Sequence, residues 1–558
     1  MEMMKKSSAP EDAENRRLSG EGVTSPGSPV RGERARGGMA SQRFYDFLPV
    51  VDMHGISNLL RSNHFVRKAI WIAFLIGLTA VCAWQLSGVI QTFIDAPTAT
   101  NFEYVFERRL DFPAVTMCNV NPFRRSKISK INSDDFKEFY NRTSQGRKGA
   151  GVRKKNSANS GSSGNSPSPS GSSGGTDNFT WDDIDYDSSR EDFDNSQEFY
   201  AKYMSLEGDD QTTIGYSLND MMIDCSWAGK SCSPINFTRS TNPRFGNCFS
   251  FNVKNAYDEA VKKTSSPGPL HGLSVMLYID QGDYFHEVAD SAGIKVIVHN
   301  QDVMPFPQDH GLLVAPGFQT QIGIRKVSIE RMSSPHGACE NLTTAEALAR
   351  DAHVEMLYGV KYTSQGCEKT CLQKAIVETC GCKYAMYAFT GGAFNNTNVP
   401  TAPFCTLTNT ESQTCIENVE RLFYMDQLTC DPPCPIICSE NLFPTTSTSS
   451  GWPALAKEED IKMMIAEVNP KLGQIIMKMS DMEAREFLHY NFLKLNVFYQ
   501  DMMFQRIVTE EGYSWQEMVS DIGGTVELYV GASIVTFFQL IEIVIDLALI
   551  GIRGKLTG

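Results

Sequence analysis

Residues 69–90, AIWIAFLIGLTAVCAWQLSGVI, contain no charge, and Gln85 is their most polar side chain. At roughly 1.5 Å per residue, a helix of this length reaches about 33 Å, enough to cross a hydrocarbon core of about 30 Å. A second apolar stretch, residues 522–552, is longer and less pure, carrying Glu527, Gln539, Glu542 and Asp546. No other part of the 558 residues is comparable, so the chain reads as a two-pass membrane protein rather than a string of soluble domains.

Arg61, Arg67 and Lys68 precede the first stretch, and Arg553 and Lys555 follow the second. Basic residues stay on the cytoplasmic side, which places both termini inside and the long middle segment outside. The first 40 residues are polar with no apolar core, so the first span serves as its own insertion signal. Two independent features agree. Sequons begin at Asn141, Asn178, Asn236, Asn341 and Asn395, all in the outer segment, where glycosylation acceptors are used. Of 15 cysteines only Cys82 lies in a span, and the other 14, an even number, are outside, as a disulfide framework requires. A net charge of −14 excludes a nucleic-acid partner and suits a surface that concentrates cations. No nucleotide loop, zinc motif or nucleophile elbow points to an enzyme, and neither a cofactor nor a metal is expected.

Within the outer segment, residues 145–176 are dominated by Gly, Ser and Asn and read as a flexible loop. An acidic run from Asp182 to Asp194 follows. Leu273–Ile279 and Ile294–His299 read as strands, and Asn101–Cys118 and Asn491–Thr509 as long strands joining the spans to this domain. Helices are expected over Thr344–Met356, which has a Thr-x-x-Glu capping pattern, and over Cys371–Thr379, Glu458–Met479 and Asp481–His489. The outer domain is therefore mixed α+β.

The cysteines have a pattern of their own. Cys367 and Cys371 are a helical step apart, and Cys430, Cys434 and Cys438 repeat that step in the proline-rich run CDPPCPIIC. Two antiparallel segments with matching steps invite nested rungs: Cys339–Cys438, Cys367–Cys434, Cys371–Cys430, Cys380–Cys415 and Cys382–Cys405. A zinc cluster is the rival reading, which an oxidising, glycosylated compartment disfavours.

Several motifs together resemble the degenerin/epithelial sodium channel family. They are Phe112–Asn119 (FPAVTMCN), Tyr362–Cys371 followed by Cys380-Gly-Cys382, Ser520–Gly524 (SDIGG), Gly531-Ala532-Ser533, and His54-Gly55 before the first span. The resemblance runs from about residue 51 to 553. It implies a trimer, homomeric or heteromeric, of two-helix subunits in the plasma membrane. Each would carry a large disulfide-rich ectodomain shaped like a clenched hand, with palm, β-ball, knuckle, finger and thumb. The implied layout is a cytoplasmic N-terminus over 1–68 with a His54-Gly55 re-entrant segment, a first helix over 69–90 and an ectodomain over 91–518. A laddered thumb would occupy about 339–440. A second, pore-lining span over 519–552 and a cytoplasmic tail over 553–558 complete it. The resemblance adds the pairs Cys118–Cys248 and Cys225–Cys232, and implies sodium ions and membrane lipid as partners.

It also gives the second span roles. Gly531, Ala532 and Ser533 would form the selectivity filter, because backbone carbonyls are tolerated at membrane depth only where they line a cavity. The bland alternative is a small-residue helix-packing patch. Glu527, one turn earlier, is a carboxylate that must face water or a partner; relatives carry Gly or Ser there, where amiloride blocks. Gln539 replaces a common Glu. Glu542 and Asp546 would supply lower acidic rings, and Gly524 matches the family's degenerin position at the gate.

Within the family, acid sensors carry a histidine pair shortly before FPAVT, whereas this chain has no histidine between His64 and His271. Its texture most resembles the invertebrate FMRFamide-gated channels, which makes an extracellular amidated neuropeptide the expected ligand. That peptide carries roughly two positive charges and two aromatic rings, so its site should combine carboxylates with aromatic faces. Asp134, Asp135, Phe136, Phe139 and Tyr140, with Phe199, Tyr200 and Tyr203, offer that mixture; the bland alternative is that these aromatics are core residues of two helices. Acid or mechanical gating within the family, an ATP-gated channel and a two-pass adhesion receptor are the alternatives.

Overall fold

In the computed structural model, which describes residues 64–149, 196–254, 261–285, 288, 290–351, 360–387, 402–406 and 410–556, the first apolar run is the helix Phe65–Ile94. It is long and apolar enough to cross a membrane by itself. Most of its side chains are exposed, as lipid-facing residues would be, but Cys82 is buried. The second run is two helices, Trp515–Val530 and Ile534–Leu556; the first of them and the Ile534–Ile545 part of the second pass the same test together and meet at a 76° bend. The helix Phe65–Ile94 contacts the helix Trp515–Val530. Residues 1–95 with 513–558 form one compact unit and residues 96–512 another.

Within the larger unit three sheets carry the architecture. A five-stranded sheet has the order 312–314, 294–299, 114–119, 246–251, 237–242. A six-stranded sheet runs 445–451, 318–324, 492–499, 273–278, 222–227, 230–231. Both give alternate residues to one hydrophobic core, in which Val115, Met117, Phe251 and Val296 from the first meet Val275, Leu277, Ile322 and Val497 from the second. A four-stranded sheet, in the order 98–106, 503–511, 327–330, 439–442, uses the first and last strands of the unit. Thr98 to Phe106 pair antiparallel with Glu511 to Met503.

The two long connecting strands are each broken. Residues 101–118 divide into Thr98–Phe106, Leu110–Asp111 and Ala114–Asn119, and Pro113, which has no N–H to give a ladder, stands at the second break. Residues 491–509 divide into Phe492–Tyr499 and Met503–Glu511, which enter different sheets. The helix expected over 458–479 stops at Val468 and restarts at Pro470. Asn469 lies outside the helical region and accepts the Leu472 N–H on its side chain, while Pro470 occupies the first helical position, where a missing N–H does no harm. Residues 145–149, read as loop, are the end of the helix Asp134–Gly149; the rest of 145–176, the run 182–194, Asn178 and Asn395 lie outside the described residues. The helix beginning at Thr344 is described as far as Arg350, and its Thr343–Glu346 capping box is present.

Seven disulfides tie the larger unit: Cys118–Cys248, Cys225–Cys232, Cys339–Cys438, Cys367–Cys434, Cys371–Cys430, Cys380–Cys415 and Cys382–Cys405. Cys82 is free. Five of them are nested on the helices Ser364–Cys380 and Thr410–Tyr424 and the segments flanking them; Cys380, Cys382 and Cys405 join a small core of Leu372, Ile376, Ile416 and Val419, and Cys367 and Cys434 pack with Tyr362 and Ile437.

Candidate functional site

The helix Trp515–Val530 starts on a strong cap. The Ser514 hydroxyl accepts the Glu517 N–H, and the Glu517 carboxylate accepts the Ser514 N–H at 2.7 Å. It ends at Gly531, which adopts the left-handed conformation, φ 70°, and returns its N–H to the Glu527 carbonyl at 2.9 Å. Only glycine enters that region without steric penalty, so the residue type and the end of the helix are one fact. Ala532 and Ser533 are in no helix. The Ser533 N–H donates to the Thr536 hydroxyl at 3.1 Å, and the Ser533 carbonyl accepts from Phe537 at 3.2 Å as the next helix begins. The carbonyl oxygens of Gly531 and Ala532 accept no hydrogen bond from the described residues. The three small residues therefore interrupt the helix pair and leave two carbonyl oxygens without a hydrogen bond from the described residues.

Thr536 escaped the sequence reading. It is buried in an otherwise exposed stretch, and its hydroxyl holds the amide that opens the second helix. The Ser-x-x-Thr spacing after the glycine was the available signal. Glu527 and Gly524 are exposed in the single chain, and a Cβ added at Gly524 would meet nothing within 4 Å. Glu542 is exposed as well. Gln539 is half-buried, with an amide oxygen that no described residue satisfies. His54, Gly55 and the side chain of Asp546 lie outside what the structure describes.

The aromatic residues proposed for peptide recognition are placed otherwise. Phe136, Phe139, Phe199, Tyr200 and Tyr203 are buried together with Phe123 and Phe285 in one core, and Tyr140 packs half-buried against it. Phe199 stacks edge-on to both Phe139 and Phe285 at 4.5 Å. Side chains so used cannot present faces to a peptide unless the core opens, so their role as a binding surface is corrected to packing. Of the two carboxylates, Asp135 is bound to Lys202 at 2.6 Å, and Asp134, fully solvated, has among the described residues only a loose 3.7 Å approach to Lys137. Of the sequon asparagines described, Asn141, Asn236 and Asn341 are all exposed.

Residues 47–543 match the model of the amiloride-sensitive sodium channel family. The chain belongs to that family. It is 26% identical over 88% of its length to the epithelial sodium channel subunit gamma of Xenopus laevis, covering 78% of that protein. It is 25% identical to the human gamma subunit, with 88% of this chain and 79% of that one aligned. The epithelial sodium channel subunit alpha of Neoceratodus forsteri is 26% identical, over 93% and 83% of the two chains. The family is one of ion channels, and these relatives are epithelial sodium channel subunits, not peptide-gated channels.

Proposed function

We propose that three copies of this chain, or of this chain and related subunits, assemble in the plasma membrane as a sodium-selective channel whose filter is Gly531-Ala532-Ser533. Both termini are cytoplasmic and residues 91–518 extracellular in this reading. The observation that supports it is the break between the two helices: a left-handed glycine, a 76° bend and, on adjacent residues, two carbonyls with no hydrogen bond from the described residues. Charge supports it, with Glu527 exposed before the break and Glu542 after it. The test is the reversal potential of sodium current in cells expressing the chain. Ser533→Ala should be mild if backbone carbonyls hold the ion, whereas Ser533→Asp and Gly531→Leu should shift or abolish sodium preference. Unchanged reversal potentials in all three variants would remove the filter from this segment, and absence of current would favour a receptor.

Gating is proposed to be by an extracellular ligand whose effect reaches Gly524, which has open space around it among the described residues and would be crowded by neighbouring chains in an assembly. Gly524→Val should therefore favour the open state. An amidated FMRFamide-type peptide is the first ligand to apply, with acid and pressure as comparators. Exposed Asp134 is what still supports a cationic peptide. If Asp134→Asn leaves the half-activating peptide concentration unchanged, or if no peptide opens the channel, that ligand is withdrawn and the pore reading stands.

A further inference from the structure

The larger unit contains a cavity of about 800 Å3 whose wall comes from stretches far apart in sequence. They are the strand Ile294–His299 with the loop after it, the first turn of the helix Ser364–Cys380, and the strand Ser439–Leu442 with its flanks. The volume lies in the range of sites that enclose a drug-sized molecule. Most of the wall is apolar, with Val296, Met304, Phe306, Ile436 and Phe443 among its members.

The polar part of the wall narrows the chemistry. His299 is already bonded at both ring nitrogens, to Thr116 and to the Asn300 carbonyl. The Asn300 amide donates to the Asn441 carbonyl at 2.8 Å, and the Gln365 amide donates to Asp309 at 2.7 Å. Two carboxylates border the space. Glu440 is held by Arg331 at 3.0 Å. Glu368 is exposed and has no ion pair or hydrogen bond to any described residue. An occupant would therefore meet apolar contact along most of its length and one unpaired negative charge.

We propose that this cavity binds an amphipathic monocation, a molecule with an apolar body and a single ammonium or guanidinium group, for which Glu368 is the counter-ion. Burying the body removes apolar surface from water, and the exposed carboxylate receives the head group without complete desolvation. Such a ligand touches both the disulfide-bonded helix Ser364–Cys380 and the strand Ser439–Leu442, and so adds a contact to those that the Cys367–Cys434 bond and the packing of Cys367 near Ile437 already make. The site is independent of the pore reading.

The probe is 4-phenylbutylamine, titrated calorimetrically into the purified full-length chain, with 4-phenylbutanol and 4-phenylbutyrate as the neutral and anionic counterparts. The amine should bind more tightly than the acid by about tenfold or more, the difference between attraction to and repulsion from one carboxylate. Glu368→Gln should weaken the amine about threefold, the scale of an exposed ion pair, and leave the alcohol unchanged. Ile436→Trp, at a half-exposed wall position, should fill the space and weaken both amine and alcohol, with thermal unfolding like the parent's to show that the fold is intact. Failure of the amine to bind overturns the proposal. So does binding undiminished in Ile436→Trp, equal binding of acid and amine, or equal amine affinity in the parent and Glu368→Gln.

Discussion

Thr116, in the middle of the Phe112–Asn119 motif, is fully buried and hydrogen-bonded to the Ser250 hydroxyl at 2.6 Å and to His299 Nε2 at 2.7 Å. His299 Nδ1 reaches the Asn300 carbonyl at 2.8 Å, so a neutral ring donating from Nδ1 and accepting at Nε2 satisfies every member. Burial pushes the His299 pKa down from the ordinary 6.5 to about 4. The folded form therefore holds fewer protons than the unfolded chain between those two values, and stability must fall as pH drops from about 6.5 towards 4. The limiting slope for one such group is about 1.4 kcal/mol per pH unit. Thermal unfolding of the purified chain should show a falling midpoint over that window, and His299→Gln, which cannot take up the proton, should show a shallower fall. Identical pH profiles would remove His299 as the source. Another single-residue constraint is Gly272, where a Cβ would meet the Val497 carbonyl and lie 2.7 Å from Phe498 Cβ. Gly272→Ala is expected to lower stability by about 1–3 kcal/mol, the usual range for overpacking, measured as reduced surface expression and a lower unfolding midpoint.

Among elements, the helix Ser364–Cys380 shows disulfides reinforcing a small apolar core. Its sequence is only weakly amphipathic, and its four-residue step from Cys367 to Cys371 is met by the same step from Cys430 to Cys434 on the returning segment. The Cys371–Cys430 bond closes a separation of 59 residues. Replacing both with serine should cost about 2–4 kcal/mol and lower the unfolding midpoint while leaving the other rungs paired on a non-reducing peptide map. A wild-type midpoint would show that the neighbouring bonds already supply the restraint. The helix interruptions were legible to unequal degrees. Asn469-Pro470 and Gly531 carry the residue types that stop helices, yet helical spacing that continues on both sides of Asn469 hid the first break, and a long apolar run hid the sharp bend after Gly531, because periodicity registers which face is apolar and not whether the axis turns.

At the scale of the whole molecule, Asn141, Asn236 and Asn341 are exposed asparagines in sequons, within the unit spanning residues 96–512. If that unit is extracellular, each Asn→Gln change should remove one glycan and speed migration on a gel by a similar step, and all difference should vanish after enzymatic deglycosylation. Absence of any shift at all three would reverse the topology. The membrane unit leaves most large apolar side chains exposed, among them Trp84, Leu528 and Phe537. If the proposed pore is right, one chain could not cover both that pore and a lipid-facing surface, which is the reason the proposal includes assembly.

What the sequence determined by itself was whatever depends on local composition and spacing: the length of the first apolar run, the even number of outer cysteines, the small residues placed to interrupt the second run, and the motifs that carry the family. Each is a property of neighbours along the chain. The fate of Phe136, Phe139, Phe199, Tyr200 and Tyr203 was decided only by the tertiary structure. Aromatic residues at helical spacing look the same whether they face a ligand or a core, and the partner that closes over them, Phe285, lies more than a hundred residues from Phe136. The cavity bordered by Glu368 was equally invisible, because its wall joins three stretches whose proximity exists only once the sheets have formed.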